Sequence, residues 1–150
     1  MRALAALAVL PLALAACSPD APKGVEKAKL DAQVSSAIGD PATCVLIAEQ
    51  PGGKVVYRYN TRTVCGRTLP ACDRPEAQTI EQLLKATVAD GQPRMLSCNT
   101  AADASRGVGW ASGVIEGKGL AYAAVMEGER ALPGRIMASK LTSAFRRAGL

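Results

Sequence analysis

The chain has 150 residues, 49% hydrophobic but only 3% aromatic, with 18 Lys and Arg against 13 Asp and Glu and a formal net charge of +5. It contains no histidine, which excludes Ser-His-Asp and Cys-His nucleophile machinery and every histidine-ligated metal centre. The length suits one domain, and Trp110, Tyr57, Tyr59, Tyr122 and Phe145 are its only large rings, so the core is expected to be aliphatic and tight.

The N-terminal stretch reads as an export signal in three parts. Arg2 supplies positive charge, residues 3–14 form an apolar run broken only by Pro11, and Ala15 and Ala16 lead into Cys17. The run is far short of the roughly 20 residues that span a bilayer. Leu14-Ala15-Ala16-Cys17 resembles the lipobox of bacterial lipoproteins. The resemblance implies cleavage before Cys17 and acyl chains on that cysteine. Ser18 in place of an aspartate after it implies the periplasmic face of the outer membrane. On this reading residues 1–16 are removed, 17–24 form a lipidated cysteine and a short tether with Pro19 and Pro22, and 25–150 form one domain. An ordinary secretory signal cut near Ala16 is the competing reading.

Export changes the meaning of charge and cysteines alike. Without Arg2 there are 17 basic and 13 acidic side chains, a mild +4. In the envelope the available anionic partners are lipid phosphate, lipopolysaccharide, glycans or acidic proteins, and nucleic acid is out of reach. Cys44, Cys65, Cys72 and Cys98 remain, an even number in an oxidising compartment, so two disulfides are expected. No Cys-x-x-Cys pair speaks for zinc, and no metal or cofactor is expected.

In chain order, residues 25–38 have helix-forming composition, with Val25, Ala28, Ala32 and Ile38 near one side and Gly39-Asp40-Pro41 as the stop. Residues 44–49 are β-rich, Pro51-Gly52-Gly53 turns, and Val55, Tyr57 and Tyr59 alternate on one face, which predicts a hairpin. Residues 60–74 lack periodicity and carry Arg62, Arg67 and Arg74 around Cys65 and Cys72. They predict an irregular, covalently fastened loop, the candidate partner-binding site.

Pro75 and Glu76 suit the first turn of a helix over 75–89, with Ile80, Leu83, Leu84, Thr87 and Val88 at helical spacing before Asp90-Gly91 and Pro93. Residues 94–98 run back as a short strand, and 99–106 form a polar loop. Val108, Trp110, Ser112 and Val114 share one strand face, residues 116–119 turn, and Leu120, Tyr122, Ala124 and Met126 continue as a second hairpin. Pro133 opens a last helix with a buried stripe of Met137, Leu141, Ala144, Phe145 and Ala148. Arg135, Lys140, Arg146 and Arg147 lie mostly on its other side. That amphipathic, basic helix reads either as packed on the sheet with cations near its C-terminus or as docked on a membrane surface.

The order α-β-β-α-β-β-α predicts an α+β fold: a small antiparallel sheet of two hairpins with helices packed on one face. Helix 75–89 and the strand returning from it are both about 20 Å long, which brings Cys98 beside Cys72 and leaves Cys44 to meet Cys65. The nested pairing, Cys65 with Cys72 and Cys44 with Cys98, stays open, because loop-closure entropy sums to about 7 kcal/mol for either arrangement.

Catalytic constellations are scarce. Glu127-Gly128-Glu129 is expected to be solvated at a strand end rather than to act as a glycosidase pair. Gly107-Val108-Gly109 has the wrong spacing for a dinucleotide fingerprint. The layout is faintly similar to the sheet subdomain of penicillin-recognising enzymes, with Val108-Gly109-Trp110-Ala111-Ser112-Gly113 adding to the likeness. That family's Ser-x-x-Lys and Lys-Thr-Gly motifs are missing, so the resemblance covers topology and implies a non-catalytic relative. The sequence thus points to a membrane-anchored envelope protein, a non-catalytic binding or structural module. It would engage an envelope protein or an anionic glycan or lipid through the arginine loop or an exposed sheet face. The alternatives are a histidine-independent Ser/Thr/Lys hydrolase and an inhibitor of a periplasmic hydrolase.

Overall fold

The computed structural model describes residues 20–150, so the signal peptide expected over residues 1–16 and the lipidation expected at Cys17 lie outside the described residues. The elements are α1 (Lys27–Ile38), β1 (Cys44–Glu49), β2 (Val55–Tyr59), α2 (Arg62–Cys65), β3 (Leu69–Pro70), β4 (Ala77–Gln78), α3 (Ile80–Asp90), β5 (Arg94–Asn99), β6 (Gly107–Ile115), β7 (Leu120–Gly128) and α4 (Gly134–Ala148). Five strands form one antiparallel sheet in the order β2-β1-β7-β6-β5, and β3 pairs with β4 in a separate short ribbon. The fold is α+β, with β5 adding a fifth strand to the two hairpins. No described helix is long and apolar enough to cross a membrane.

The helices do not share one face. α1 and α4 cover one side of the sheet, packing on Val45, Ile47, Tyr122, Ala124 and Met126. α3 covers the other side, packing on Cys44, Leu46, Ala48, Ala123 and Val125. The reason lies in the two central strands: β1 is apolar and buried at every position from Cys44 to Ala48, and β7 from Leu120 to Met126. A strand apolar on both faces needs cover on both, so neither face of the central strands is exposed.

Local corrections follow from packing. The buried stripe of α1 is Leu30, Val34 and Ile38, while Ala28 and Ala32 are exposed. Larger aliphatic side chains at i, i+4 and i+8 bury more apolar area than alanines do. In β2 the register slips between Ile47 and Ala48, leaving Val56 as the extra residue of a bulge. Tyr57 and Tyr59 therefore pack with the α1 side and Val55 with the α3 side. α3 starts at Ile80, not at Pro75, capped by Thr79 and Gln82 in a reciprocal capping box. Packed chain also begins before residue 25, the expected start of the domain. Pro22 is buried, and its carbonyl accepts from the Val25 amide at 3.0 Å, so packed chain begins there.

Candidate partner-binding loop

Residues 60–78 form the second half of the layer on the α3 side. Asn60, in left-handed backbone at φ 79°, donates from Nδ2 to the carbonyls of Thr43 (3.0 Å) and Pro41 (3.1 Å), which fixes where the chain leaves β2. The Thr61 hydroxyl then accepts from the Val64 amide at 3.2 Å and caps α2. Cys65, at the end of α2, is joined to Cys44 of β1. The chain continues into the β3–β4 ribbon, and Cys72 is joined to Cys98 of the edge strand β5. These are the local pairings, and all four cysteines are consumed in them. Trp110, fully buried, donates from Nε1 to the Pro70 carbonyl at 2.8 Å. The loop is thus the cover of the Trp110 side of the core, held at both ends by covalent bonds.

The three candidate arginines have different surroundings. Arg67 Nη2 lies 2.8 Å from Glu127 Oε2, and Arg106 Nη2 lies 3.0 Å from Glu127 Oε1, so one carboxylate bridges two guanidinium groups. The Glu127 side chain is only 11% exposed. Hydrogen bonding from Arg67, and then from Arg106, holds its carboxyl below the usual glutamate range. Glu127 is therefore a partly buried ion-pair node at the surface and not the freely solvated acid expected of it, while Glu129 is exposed. Arg74 is neutralised locally: it contacts Asp73 at 2.8 Å and Glu76 at 4.0 Å, and it donates to Gln78 Oε1 at 2.9 Å. Arg62 is exposed at the start of α2. No ion pair or hydrogen bond joins the three arginines to one another, and Arg62 has no acidic partner among the described residues.

Arg106 was missed in the sequence because it lies in the polar loop after β5, far along the chain from Arg67. Its only signal is its register: Gly107 opposes Gly128 and Val108 opposes Glu127, which sets Arg106 beside the end of β7. As for chemistry, the hydroxyls that meet here are structural. Thr87 Oγ1 donates to Ser112 Oγ at 2.8 Å between α3 and β6, both groups buried. Ser105 Oγ donates to Asp103 at 2.6 Å within its own turn. What the loop offers is a rigid, cation-bearing surface. No protein-family model, curated protein or solved structure matches the chain.

Proposed function

We propose that this protein is a lipid-anchored periplasmic envelope protein that acts by binding, presenting residues 60–78 and the neighbouring Arg106 to an envelope protein or an anionic glycan. One observation carries the reading. The helix that follows Cys17 in the chain, α1, covers one face of the sheet, and the disulfide-fastened loop covers the other. A partner surface placed there faces away from the helix that the anchor leads into. Supporting features are the Leu14-Ala15-Ala16-Cys17 motif and the two cross-links, which pre-organise the loop and reduce the entropy lost on binding.

Two variants test the two halves. Cys17→Ala is expected to abolish palmitate labelling and release the protein from membranes, and continued retention would refute the anchor. Arg62→Glu is the first probe of the loop because it breaks no ion pair within the described residues. In-cell crosslinking is expected to lose its adducts in this variant while circular dichroism stays native. An unchanged adduct pattern, also with Arg106→Glu, would refute the loop as the contact surface.

A further inference from the structure

We propose that the α1/α4 face of the domain rests on anionic lipid headgroups, a reading that depends on the lipid anchor proposed at Cys17. The charge of the chain is segregated. α1 and α4 together carry six cations, Lys27, Lys29, Arg135, Lys140, Arg146 and Arg147, against one acid, Asp31. The rest of residues 20–150 carries 11 cations and 12 acids. The net positive charge of the domain thus belongs to two helices on one face of the sheet. α4 contains no acid at all.

The cations are free to act outward. The α4 stripe that meets the sheet is Met137, Leu141, Ala144, Phe145 and Ala148, and the five cations other than Lys27 are all exposed. Lys27 is half-buried and paired with Asp31 at 2.7 Å. At the surface the two helices are bridged by Arg147 Nε, which donates to Gln33 Oε1 at 2.6 Å. Ile136, at 44% exposure, adds an apolar side chain to the outer surface of α4. The flanking acids Glu26 and Asp40 stand at the two ends of α1, offset in part by Lys23.

The tether makes contact hard to avoid. Packed chain begins at Pro22, so residues 17–21 reach at most about 17 Å when fully extended. A domain whose α4 alone is about 22 Å long and whose leash is shorter than that is held against the bilayer. The Debye length of about 8 Å at physiological ionic strength then lets lipid phosphate act on the nearest face. The face that complements it is α1/α4, and it lies opposite the arginine loop.

The test uses the acylated protein purified from its membrane and reconstituted into vesicles of phosphatidylcholine with or without phosphatidylglycerol. Lysine amines are acetylated and the rates read by mass spectrometry. Lys29 and Lys140 are expected to react about fivefold more slowly on the anionic vesicles, with Lys85 of α3 unchanged and the protection lost at high salt. The double variant Arg135→Glu/Arg146→Glu is expected to remove the protection. Equal rates on both vesicles would overturn the proposal, and so would protection of Lys29 and Lys140 that persists on phosphatidylcholine alone, which would assign the face to a protein contact. If intact mass shows no acyl group, the anchor reading fails by itself. Flotation of that same chain with the two vesicle types then decides: equal flotation overturns the docking, and selective flotation with phosphatidylglycerol upholds it.

Discussion

Glu127 is the residue on which most rests, because its one carboxylate pairs with two guanidinium groups from distant parts of the chain. Glu127→Gln is expected to destabilise the fold by about 1–2 kcal/mol, more than an exposed ion pair is worth, because the side chain is mostly buried and both arginines lose a partner. The sign with pH is set by the lowered carboxyl. A group whose pKa is lower in the folded state stabilises fully above the unfolded value, about 4.3 for glutamate, and stops doing so as pH falls through the folded value. The gap between wild type and Glu127→Gln in urea midpoint is therefore wide near neutrality and closes in acid; a gap that widened in acid would contradict the assignment. Tyr57 is the counterpart on the other face: fully buried, it donates to Asp31 Oδ1 at 2.8 Å and so ties β2 to α1. Burial first, and then the bond to Asp31, pushes its phenol above the usual tyrosine range. Tyr57→Phe removes that bond while keeping the ring, and thermal melts are expected to show a loss of about 1 kcal/mol.

At the scale of elements, the start of α3 shows how two signals compete. Proline followed by glutamate at 75–76 is a reasonable helix opening, yet Thr79-Ile80-Glu81-Gln82 carries a capping box, and the box wins because it satisfies two orphan amides at once. Pro75 lies instead in the connection between β3 and β4. Thr79→Ala is expected to cost about 1 kcal/mol in urea unfolding, with amide exchange rising first in the opening turn of α3. The close contact of the segment leading into α4 with the sheet makes a sharper prediction. A Cβ on Gly109 would overlap the Leu132 carbonyl oxygen, which is backbone and cannot swing away. Gly109→Ala is therefore expected to cost about 3 kcal/mol or more, whereas alanine at exposed Gly52, where a Cβ meets nothing within 4 Å, strains only the backbone. Chain pattern alone located β1 and β2 as strands and the α4 stripe, because β1 is a continuous apolar run, the α4 stripe has helical spacing, and glycine and proline mark their ends. It did not show the bulge at Val56, which depends on the register with β1.

At the scale of the molecule, the layering was legible only in part, for a physical reason. Alternation on β7 can be read from Leu120, Tyr122, Ala124 and Met126, but Ala121, Ala123 and Val125 between them are apolar too. Small apolar residues do not announce whether a face is covered, and α3 covers this one. The meeting of Arg67 with Arg106 was illegible for a related reason, since it depends on the β6–β7 register and on a disulfide. The layers also differ in how they are held. All four disulfide-bonded cysteines lie on the α3 side, and the cluster under α1 and α4 contains none. The bonds close loops with sequence separations of 21 and 26, worth about 3.5 kcal/mol each by chain entropy. Reduction is thus expected to act on one layer. In the double variant Cys72→Ala/Cys98→Ala, the edge strand β5 keeps β6 as its only strand neighbour and the β3–β4 ribbon loses its fastening. Hydrogen exchange is expected to accelerate across residues 66–78 and β5, while amides of α1 and α4 stay near wild-type protection. Partner crosslinking through the loop would then fall while protection of Lys29 and Lys140 on anionic vesicles persisted, separating the two faces in function. Loss of protection in α1 and α4 in step with the loop would show that the layers open as one unit, and the two-faced account would not survive it.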